Sequence, residues 1–320
     1  MITRNEYEDR SEDYSKSYPC YNEPYFLKDT NVEVMSNIRY PNMKEVYDTF
    51  SSTIANNGKN FIVTTGCEAA LRISLQVLKR TDDYYDIYSE YPTWGMVPVI
   101  FDQIFYDKEL KKIEFRYDVS NNNFYYKGLK YLDIKSKDII YTTYRYNNLF
   151  EHQNHIFDAY NIIDFTYTDP KVAYKEYMNI CLDNQTIHNK IIGIGSFSKV
   201  YGCGYRLGYI FYPENNNAFG ELFNLYREEY ISSHAAFLLK NIPAFSSEYN
   251  KRMNIAYNKN IYATYTSNYA TVPKRVLEYP DNIISKDEKE YISSRINREF
   301  TIENDYGDDT VFLRIGLEQE

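Results

Sequence analysis

The sequence predicts an α/β fold, made of a three-layer large domain with a mostly parallel sheet and a small α+β domain. Three observations predict it: six short apolar runs, helical patterns between some of them, and a change of pattern after about residue 220. Continuous apolar runs, rather than strict alternation, are typical of strands covered on both faces. Strands that alternate with helices form largely parallel sheets.

The apolar runs are the predicted strands of the large domain. They are FIVTTG at 61–66, DIYSEY at 86–91, DIIYTTY at 138–144, NIIDFTY at 161–167, IIGIGSF at 191–197 and LGYIFYP at 207–213. Helices are predicted over 67–80 and 92–101, and Pro92 suits the first position of the second one.

The last third of the chain predicts a different arrangement. Residues 221–240 and 246–270 have amphipathic helical patterns, and residues 290–300 and 311–317 predict a small α+β unit. We therefore expect a large domain over 41–245. An N-terminal arm at 1–40 and an abbreviated small domain at 246–320 complete the predicted chain.

Composition and charge exclude several classes of function. The 320-residue chain has a net charge of −9, which argues against a nucleic-acid-binding surface, although a local basic pocket can still bind small anions. No apolar run approaches the roughly 18 residues of a membrane helix, and the polar N-terminus contains no signal-peptide core. The four cysteines show no C-x-x-C spacing. These features predict a cytoplasmic protein that binds neither membranes nor nucleic acids.

The stretch GIGSFSKVYGCGYRLGYIFYP, residues 193–213, places Lys199 after an apolar run, in a turn crowded with hydroxyls and glycines. A buried amine is costly unless its charge is compensated or its neutral form is used. One alternative is the S-x-x-K motif of penicillin-recognising serine enzymes, in which Ser196 would be the nucleophile and Lys199 its partner. That chemistry also requires S-D-N and K-T-G elements, and neither occurs in this sequence. The glycine spacing fits neither common nucleotide-binding loop.

A pyridoxal phosphate lysine explains the stretch better, and the alternative is a glycine-rich turn with a solvated lysine. The ε-amine of Lys199 would form a Schiff base with the cofactor aldehyde. Ser196, Ser198 and Arg206 would bind the cofactor phosphate through charge-assisted hydrogen bonds. The stretch resembles the Schiff-base region of aminotransferases of the aspartate aminotransferase fold, whose pattern is S-x-S-K, several small residues, then R-x-G.

Other elements of that family follow in the expected order. TTGCEAAL at 64–71 is similar to the phosphate cup, and the resemblance implies that the backbone N–H groups of Gly66, Cys67 and Glu68 bind the phosphate at a helix N-terminus. YPTWGM at 91–96 is similar to the aromatic step. This similarity implies that Trp94, otherwise a core residue, stacks on the pyridine ring.

Two further segments imply contacts to the ring. YRYNNLF at 144–150 places Asn148 where the family has an Asn that binds the phenolic oxygen, although the Pro-Thr-Gly that follows it in the family is absent. IIDFTY at 162–167 resembles the D-x-x-Y element. It implies that Asp164 pairs with the pyridinium nitrogen and that Tyr167 reaches the phenolic oxygen.

The ends of the chain resemble the histidinol-phosphate aminotransferase branch. YNEPYF at 21–26, which contains Tyr25, and NIRYP at 37–41 match its N-terminal segments. Tyr40 matches a residue that reaches the partner's cofactor phosphate in a homodimer, and Tyr25 is a predicted substrate contact. VFLRIG at 311–316 implies that Arg314 binds the substrate carboxylate. Arg298 is either a site for a second anionic group, such as a phosphate, or a surface residue.

The chain departs from the family between Asn148 and Asp164, where the family has room for a whole helix. His152 and His155 fall in this short connection. An i, i+3 pair of histidines can bind a metal, but a solvated loop is the favoured interpretation, and no metal is expected.

The resemblance implies an aminotransferase that moves an amino group between an amino acid, or an amino-acid-like phosphate ester, and a 2-oxo acid. Lys199 would be both the attachment point and the general base, with Asp164 and Tyr167 completing the catalytic set. The alternative enzyme is a decarboxylase of a phosphorylated amino acid. A third class, the pyridoxal-binding transcription regulator, needs a fused DNA-binding domain, for which the roughly twenty residues before the first family-like segment leave no room.

Overall fold

The structure is a computed structural model. It describes residues 41–81, 86–145, 150, 152, 154–201, 205–213, 217–226, 231–232, 235–236, 238–242, 264–265 and 269–316. The predicted N-terminal arm with Tyr25 and Tyr40 lies outside the described residues, and so does Asn148.

An eight-stranded sheet organises the first part of the described chain. Its strands are β1 (Phe61–Thr64), β2 (Ile87–Tyr91), β3 (Leu110–Asp118), β4 (Asn123–Tyr126), β5 (Ile139–Thr143), β6 (Tyr160–Asp164), β7 (Ile191–Ser196) and β8 (Gly208–Phe211), in the order β1-β8-β7-β6-β5-β2-β3-β4. The six predicted strands are confirmed, and β3 and β4 were not predicted.

The sheet is mostly parallel, as predicted. Strands β3, β2, β5, β6 and β7 pair in parallel, whereas β8 runs antiparallel between β7 and β1, and β4 is an antiparallel edge strand. Consequently β1 runs in the same direction as β7. The carboxyl ends of β1, β2, β5, β6 and β7 therefore meet at one edge, and β8 begins at that same edge.

Helices cover both faces of this sheet and give the predicted three layers. They are α1 (Met43–Thr53), α2 (Cys67–Thr81), α3 (Met96–Ile104), α4 (Pro170–Asp183), the short α5 (Ser198–Tyr201) and α6 (Asn217–Asn224). Successive strand residues point to opposite faces. Thus Ile62 packs with the core under α2, α3 and α6, while its neighbour Val63 packs with α1 and α4.

Two helices differ from the sequence prediction. The helix predicted from Pro92 begins instead at Met96, because residues 92–95 form a turn that ends at Gly95, the N-cap residue. Helix α4 was missed, although its start carries a readable signal. Asp169 caps it by accepting from the N–H of Lys171 at 3.0 Å, and Pro170 occupies its first position.

A second, four-stranded sheet follows. Its strands are β9 (Thr264–Tyr265), β10 (Tyr269–Pro273), β11 (Ile296–Glu303) and β12 (Asp309–Gly316), in the order β11-β12-β10-β9, with helix α7 (Lys286–Ser293) beside it. The helix predicted over 246–270 is wrong at its end, where the chain forms β9 and enters β10. Val272 of β10 is fully buried against β12, so sheet pairing overrides the local helical pattern.

The β3–β4 hairpin joins the two sheets through charged and polar contacts. Glu303 of β11 accepts from Arg116 of β3 and from Lys127, whose Nζ lies 2.6 Å from its Oε2. The Tyr125 hydroxyl donates to Asp305 at 2.5 Å. Across the described ranges, the structure contains no helix with the length and apolarity needed to cross a membrane.

Candidate active site

The candidate site lies at the edge where the carboxyl ends of the parallel strands meet. Thr143 of β5 pairs with Asp164 of β6, and Ser196 of β7 pairs with Gly208 of β8. Thr64 of β1 also pairs with Gly208. The sheet register therefore brings together residues that are far apart in sequence. In open α/β sheets, ligands bind at this kind of edge.

The turn between β1 and α2 is the predicted phosphate cradle, and its backbone is closely packed. Gly66 has a φ of +113°, which disfavours other residues, and a Cβ atom on Gly208 would lie only 2.5 Å from the carbonyl carbon of Gly66. The two backbones therefore touch because both residues are glycines. The guanidinium of Arg206 lies against the same turn, with its Nη2 atom 3.6 Å from the position that a Cβ on Gly66 would occupy.

Helix α2 begins immediately after this turn, at Cys67, so its first N–H groups are available to an anion. The side chain of Glu68 points along the helix, where its Oε1 accepts from Arg72 Nε at 3.2 Å. Only the backbone of Glu68 is therefore suited to the cradle.

Lys199 lies in the short helix α5 directly after β7. Ser196 is buried at the end of the strand, and its Oγ accepts from the N–H of Ser198 at 3.4 Å. The half-buried Lys199 places its Nζ 5.7 Å from the centroid of the Tyr167 ring. Two predicted catalytic residues from separate segments thus come into contact.

Asp164 ends β6 and is 5% exposed. Its Oδ1 accepts from the N–H of Thr166 at 2.7 Å, and its Oδ2 accepts from the hydroxyl of Tyr141 at 2.6 Å and from the thiol of Cys67 at 3.4 Å. Burial raises the pKa of the Asp164 carboxyl, although these hydrogen bonds oppose the shift. Tyr141 was missed by the sequence analysis, and Cys67 was expected to act only through its backbone.

Trp94 lies in the turn after β2. Its indole is half-buried and packs against the apolar core under α2 and α3, and its carbonyl accepts from Val97 N–H at 2.8 Å. Its core packing and a stacking role are compatible, since the side chain is only partly buried.

The two predicted substrate arginines lie on the second sheet. Arg298 of β11 and Arg314 of β12 are direct cross-strand partners, with Thr271 of β10 opposite Arg314 on its other side. Arg314 is 3% exposed, and Arg298 is half-buried, so it is not a fully solvated surface residue. The Nε of Arg298 is buried and has no hydrogen-bond partner among the described residues. Like charges on cross-strand partners repel.

The two histidines of the short connection were both expected in a solvated loop, and only one of them is solvent-exposed. His155 is exposed, but His152 is 2% exposed and lies in an aromatic environment. Local sequence could not reveal this burial, because the enclosing rings come from other strands. Among the described residues, no group of three or more His, Cys, Asp or Glu side chains could hold a metal ion.

Neither a protein-family model nor a curated protein matches this chain in sequence. Solved structures do match it. A pyridoxal-phosphate-bound protein of Clostridium difficile 630, assigned to the aminotransferases, gives a TM-score of 0.55 at 11% identity over 99% of this chain and 94% of its own. For the histidinol-phosphate aminotransferase of Clostridium acetobutylicum the TM-score is 0.53 at 12% identity, covering 91% and 89%. For a single mutant of Thermus thermophilus aspartate aminotransferase it is 0.52 at 13% identity, covering 87% and 86%.

These likenesses establish the class of fold. The chain has the aspartate aminotransferase fold, and the resemblance inferred from its motifs is confirmed at that level. Because all three identities lie between 11% and 13%, the likeness concerns the fold alone. Function has to be argued from the site itself.

Proposed function

We propose that this protein is a pyridoxal-phosphate-dependent aminotransferase that moves an amino group between an amino acid, or an amino-acid-like phosphate ester, and a 2-oxo acid. The observation that carries the proposal is the joint placement of Lys199, Asp164 and a glycine cradle at one sheet edge. The aminotransferase fold, found also in a pyridoxal-phosphate-bound protein, supports it.

The cradle fits the phosphate of that cofactor. Gly66 leaves the space beside the Arg206 guanidinium open, and a dianion there would meet the first N–H groups of helix α2. The hydroxyls of Ser196 and Ser198 stand at the end of the adjacent strand. Charge-assisted hydrogen bonds from these groups are the strongest available to a phosphate.

The environment of Asp164 fits the pyridine nitrogen. Among the described residues, the hydrogen-bond donors that reach its carboxylate include a phenol, a thiol and an amide, and these are uncharged. A buried carboxylate is costly without a positive partner, which is why its pKa is raised. A protonated pyridine nitrogen would supply that charge, and Asp164 would in turn hold the nitrogen protonated.

Pyridoxal phosphate supplies, when bound, an electron sink for a carbanion at the substrate Cα. Lys199 is the proposed attachment point, and its Nζ would accept the Cα proton as general base. The hydroxyl of Tyr167, beside that amine, is proposed to donate a hydrogen bond to the cofactor's phenolic oxygen. Asn148 is the proposed second hydrogen-bond donor to that oxygen. Trp94 would cover one face of the ring.

Arg314 is the proposed ligand of the substrate carboxylate, and Arg298 the proposed ligand of a second anionic group. Their cross-strand register supports a substrate with two anionic groups, because it places two cationic residues side by side on one face of the sheet. We further propose a cytoplasmic homodimer in which Tyr40 completes the partner's phosphate site and Tyr25 contacts substrate. The large domain would span 41–245, with the arm and small domain formed by 1–40 and 246–320.

A screen of amino donors against 2-oxo acids, followed by cofactor absorbance and product analysis, tests this function. Transamination predicts a keto product and dependence on an acceptor. Release of carbon dioxide without an acceptor would instead support the decarboxylase alternative. Arg314→Ala should lower the activity with every amino donor. Arg298→Ala should lower the activity only with amino donors that carry a second anionic group. A donor preference unaffected by Arg298→Ala would contradict its assigned role.

A further inference from the structure

A buried polar cluster that the proposed chemistry does not use joins Glu90, Thr143 and His152. The side chains of Glu90 and His152 are both fully buried. Glu90 Oε1 accepts from the Thr143 hydroxyl at 2.8 Å, its Oε2 accepts from the Thr143 N–H at 3.0 Å, and the same hydroxyl lies 3.0 Å from His152 Nε2. Two ionisable groups therefore share one hydroxyl.

Because the Thr143 hydroxyl has only one hydrogen, the donor and acceptor roles of the hydrogen bonds from Glu90 through Thr143 to His152 are linked. If the Thr143 hydroxyl donates to an ionised Glu90, it can only accept from His152, so Nε2 must carry a hydrogen. If a proton enters at His152 Nδ1, the Nε2 hydrogen can pass to Thr143 while the hydroxyl hydrogen passes to Glu90. The cluster thus takes up one proton, and both hydrogen bonds reverse.

The surroundings explain why this proton is held near neutral pH. The rings of Phe115 and Tyr126 lie 4.9 and 5.3 Å from the His152 ring, centroid to centroid. Burial raises the pKa of Glu90 to about 8, against the donors from Thr143 and Tyr126 and with a contribution from Asp164. Among the described residues, the titratable groups that face Glu90 are Tyr126 of β4, Tyr141 of β5, Asp164 of β6 and His152.

The cluster joins the segments that lead into the site. Glu90 is the last residue but one of β2, shortly before the turn that carries Trp94, and the far end of that turn is held by the Val97–Trp94 backbone bond. Thr143 ends β5 and pairs with Asp164 across the sheet. His152 belongs to the short connection, where its N–H donates to the Arg145 carbonyl at 2.6 Å and its backbone bridges to Phe124.

We propose that Glu90, Thr143 and His152 are positioning residues that together hold the Trp94 turn and the connection after β5 in one arrangement, and that uptake of one proton changes it. The cluster's effect on a bound pyridine ring rests on the proposed function, whereas its effect on Trp94 does not.

Trp94 is the only tryptophan in the chain, so tryptophan emission reports this turn alone. In the full-length chain without added cofactor, emission should titrate as a single proton with a midpoint near pH 8, in line with the raised pKa of Glu90. Glu90→Gln should abolish the transition. His155→Gln, in the same connection but exposed, should leave the midpoint unchanged.

A pair of variants at Thr143 decides the matter if Glu90→Gln does not fold. Thr143→Ser keeps the hydroxyl and should keep the transition, whereas the nearly isosteric Thr143→Val should lose it. A transition that persists in Thr143→Val, a wild-type chain without one, or loss of it in His155→Gln would overturn the inference.

A second arm separates this inference from the proposed function. The dissociation constant for pyridoxal phosphate should follow the same pH transition in the wild-type chain and in Thr143→Ser, but not in Thr143→Val. Failure to bind pyridoxal phosphate at any pH would contradict the proposed function. The emission titration would then still test whether the cluster positions the Trp94 turn. Binding without a shared transition would contradict only the link to the cofactor site.

Discussion

The thiol of Cys67 lies 3.4 Å from Oδ2 of Asp164 and donates to it. This contact joins Cys67, the first residue of α2 beside the proposed phosphate cradle, to the carboxylate at the end of β6. Burial and the neighbouring Asp164 charge raise the pKa of Cys67 well above its ordinary value, so the thiol stays protonated and remains a donor.

Replacing Cys67 should therefore perturb Asp164 without removing the cradle. Cys67→Ala deletes one hydrogen bond and should weaken pyridoxal phosphate binding by about 1 kcal/mol, the scale of one such bond. Cys67→Ser keeps a donor and is the matched control. Calorimetric titration of both variants measures the difference, and equal loss in the two would mean that the hydrogen bond is not what matters.

The contact between the Gly66 and Gly208 backbones predicts a sharp intolerance at Gly208. Gly208→Ala would place Cβ 2.5 Å from the Gly66 carbonyl carbon, so the cradle must shift and cofactor affinity should fall at least tenfold. Gly220→Ala is the control, because no atom lies within 4 Å of the added Cβ. In helix α6 that change should stabilise the fold by roughly 0.5–1 kcal/mol. Unchanged affinity in Gly208→Ala would exclude the cradle as the phosphate site.

Asp164→Asn should fold, because its neutral amide suits a buried position that already disfavours charge. It should lose most transaminase activity, since an amide cannot hold the ring nitrogen protonated. Asp158→Asn, at an exposed position in the preceding connection, is the control. Steady-state rates and cofactor content of the two variants are compared. Turnover near the wild-type rate in Asp164→Asn would show that the pyridine contact lies elsewhere.

The raised pKa of Glu90 predicts how stability depends on pH. Its value of about 8 lies above the ordinary 4.5, so the folded chain holds a proton that the unfolded chain releases over this interval. Folding stability contributed by this group is therefore greatest at low pH and falls as pH rises from about 4.5 through 8. Glu90→Gln removes that loss and should be more stable than the wild type at pH 9, on the order of a few kcal/mol. Urea unfolding at pH 6 and pH 9 measures it, and a wild-type stability that rises over this range relative to Glu90→Gln would contradict the assignment.

Those parts of the fold that depend on local pattern could be predicted from the sequence. The apolar runs of β1 and β7 and the helix at 67–80 are continuous in sequence, as is the S-x-S-K stretch around Lys199. Each element is specified by residues within one turn or strand, so its pattern can be read without knowledge of its neighbours.

Contacts between distant segments could not be predicted in the same way. Tyr141 binds Asp164 from the neighbouring strand, and Glu90 is buried by β4, β5 and the connection after β5. The start of strand β10 was predicted to be helical. Its burial against β12 depends on a partner strand about forty residues further along the chain, which the local pattern does not contain. These errors share one physical origin, which is that tertiary pairing decides both the burial and the backbone conformation.

Lys199 is proposed to bind pyridoxal phosphate covalently through a Schiff base. Incubation with pyridoxal phosphate, reduction with borohydride and peptide mapping test it directly, because reduction converts a Schiff base into a stable secondary amine at one lysine. We predict a single adduct on Lys199, unchanged in Lys175→Ala, a control at an exposed position of helix α4, and absent from Lys199→Ala, which still keeps the cradle. An adduct on another lysine, or none on the wild-type chain, would contradict it.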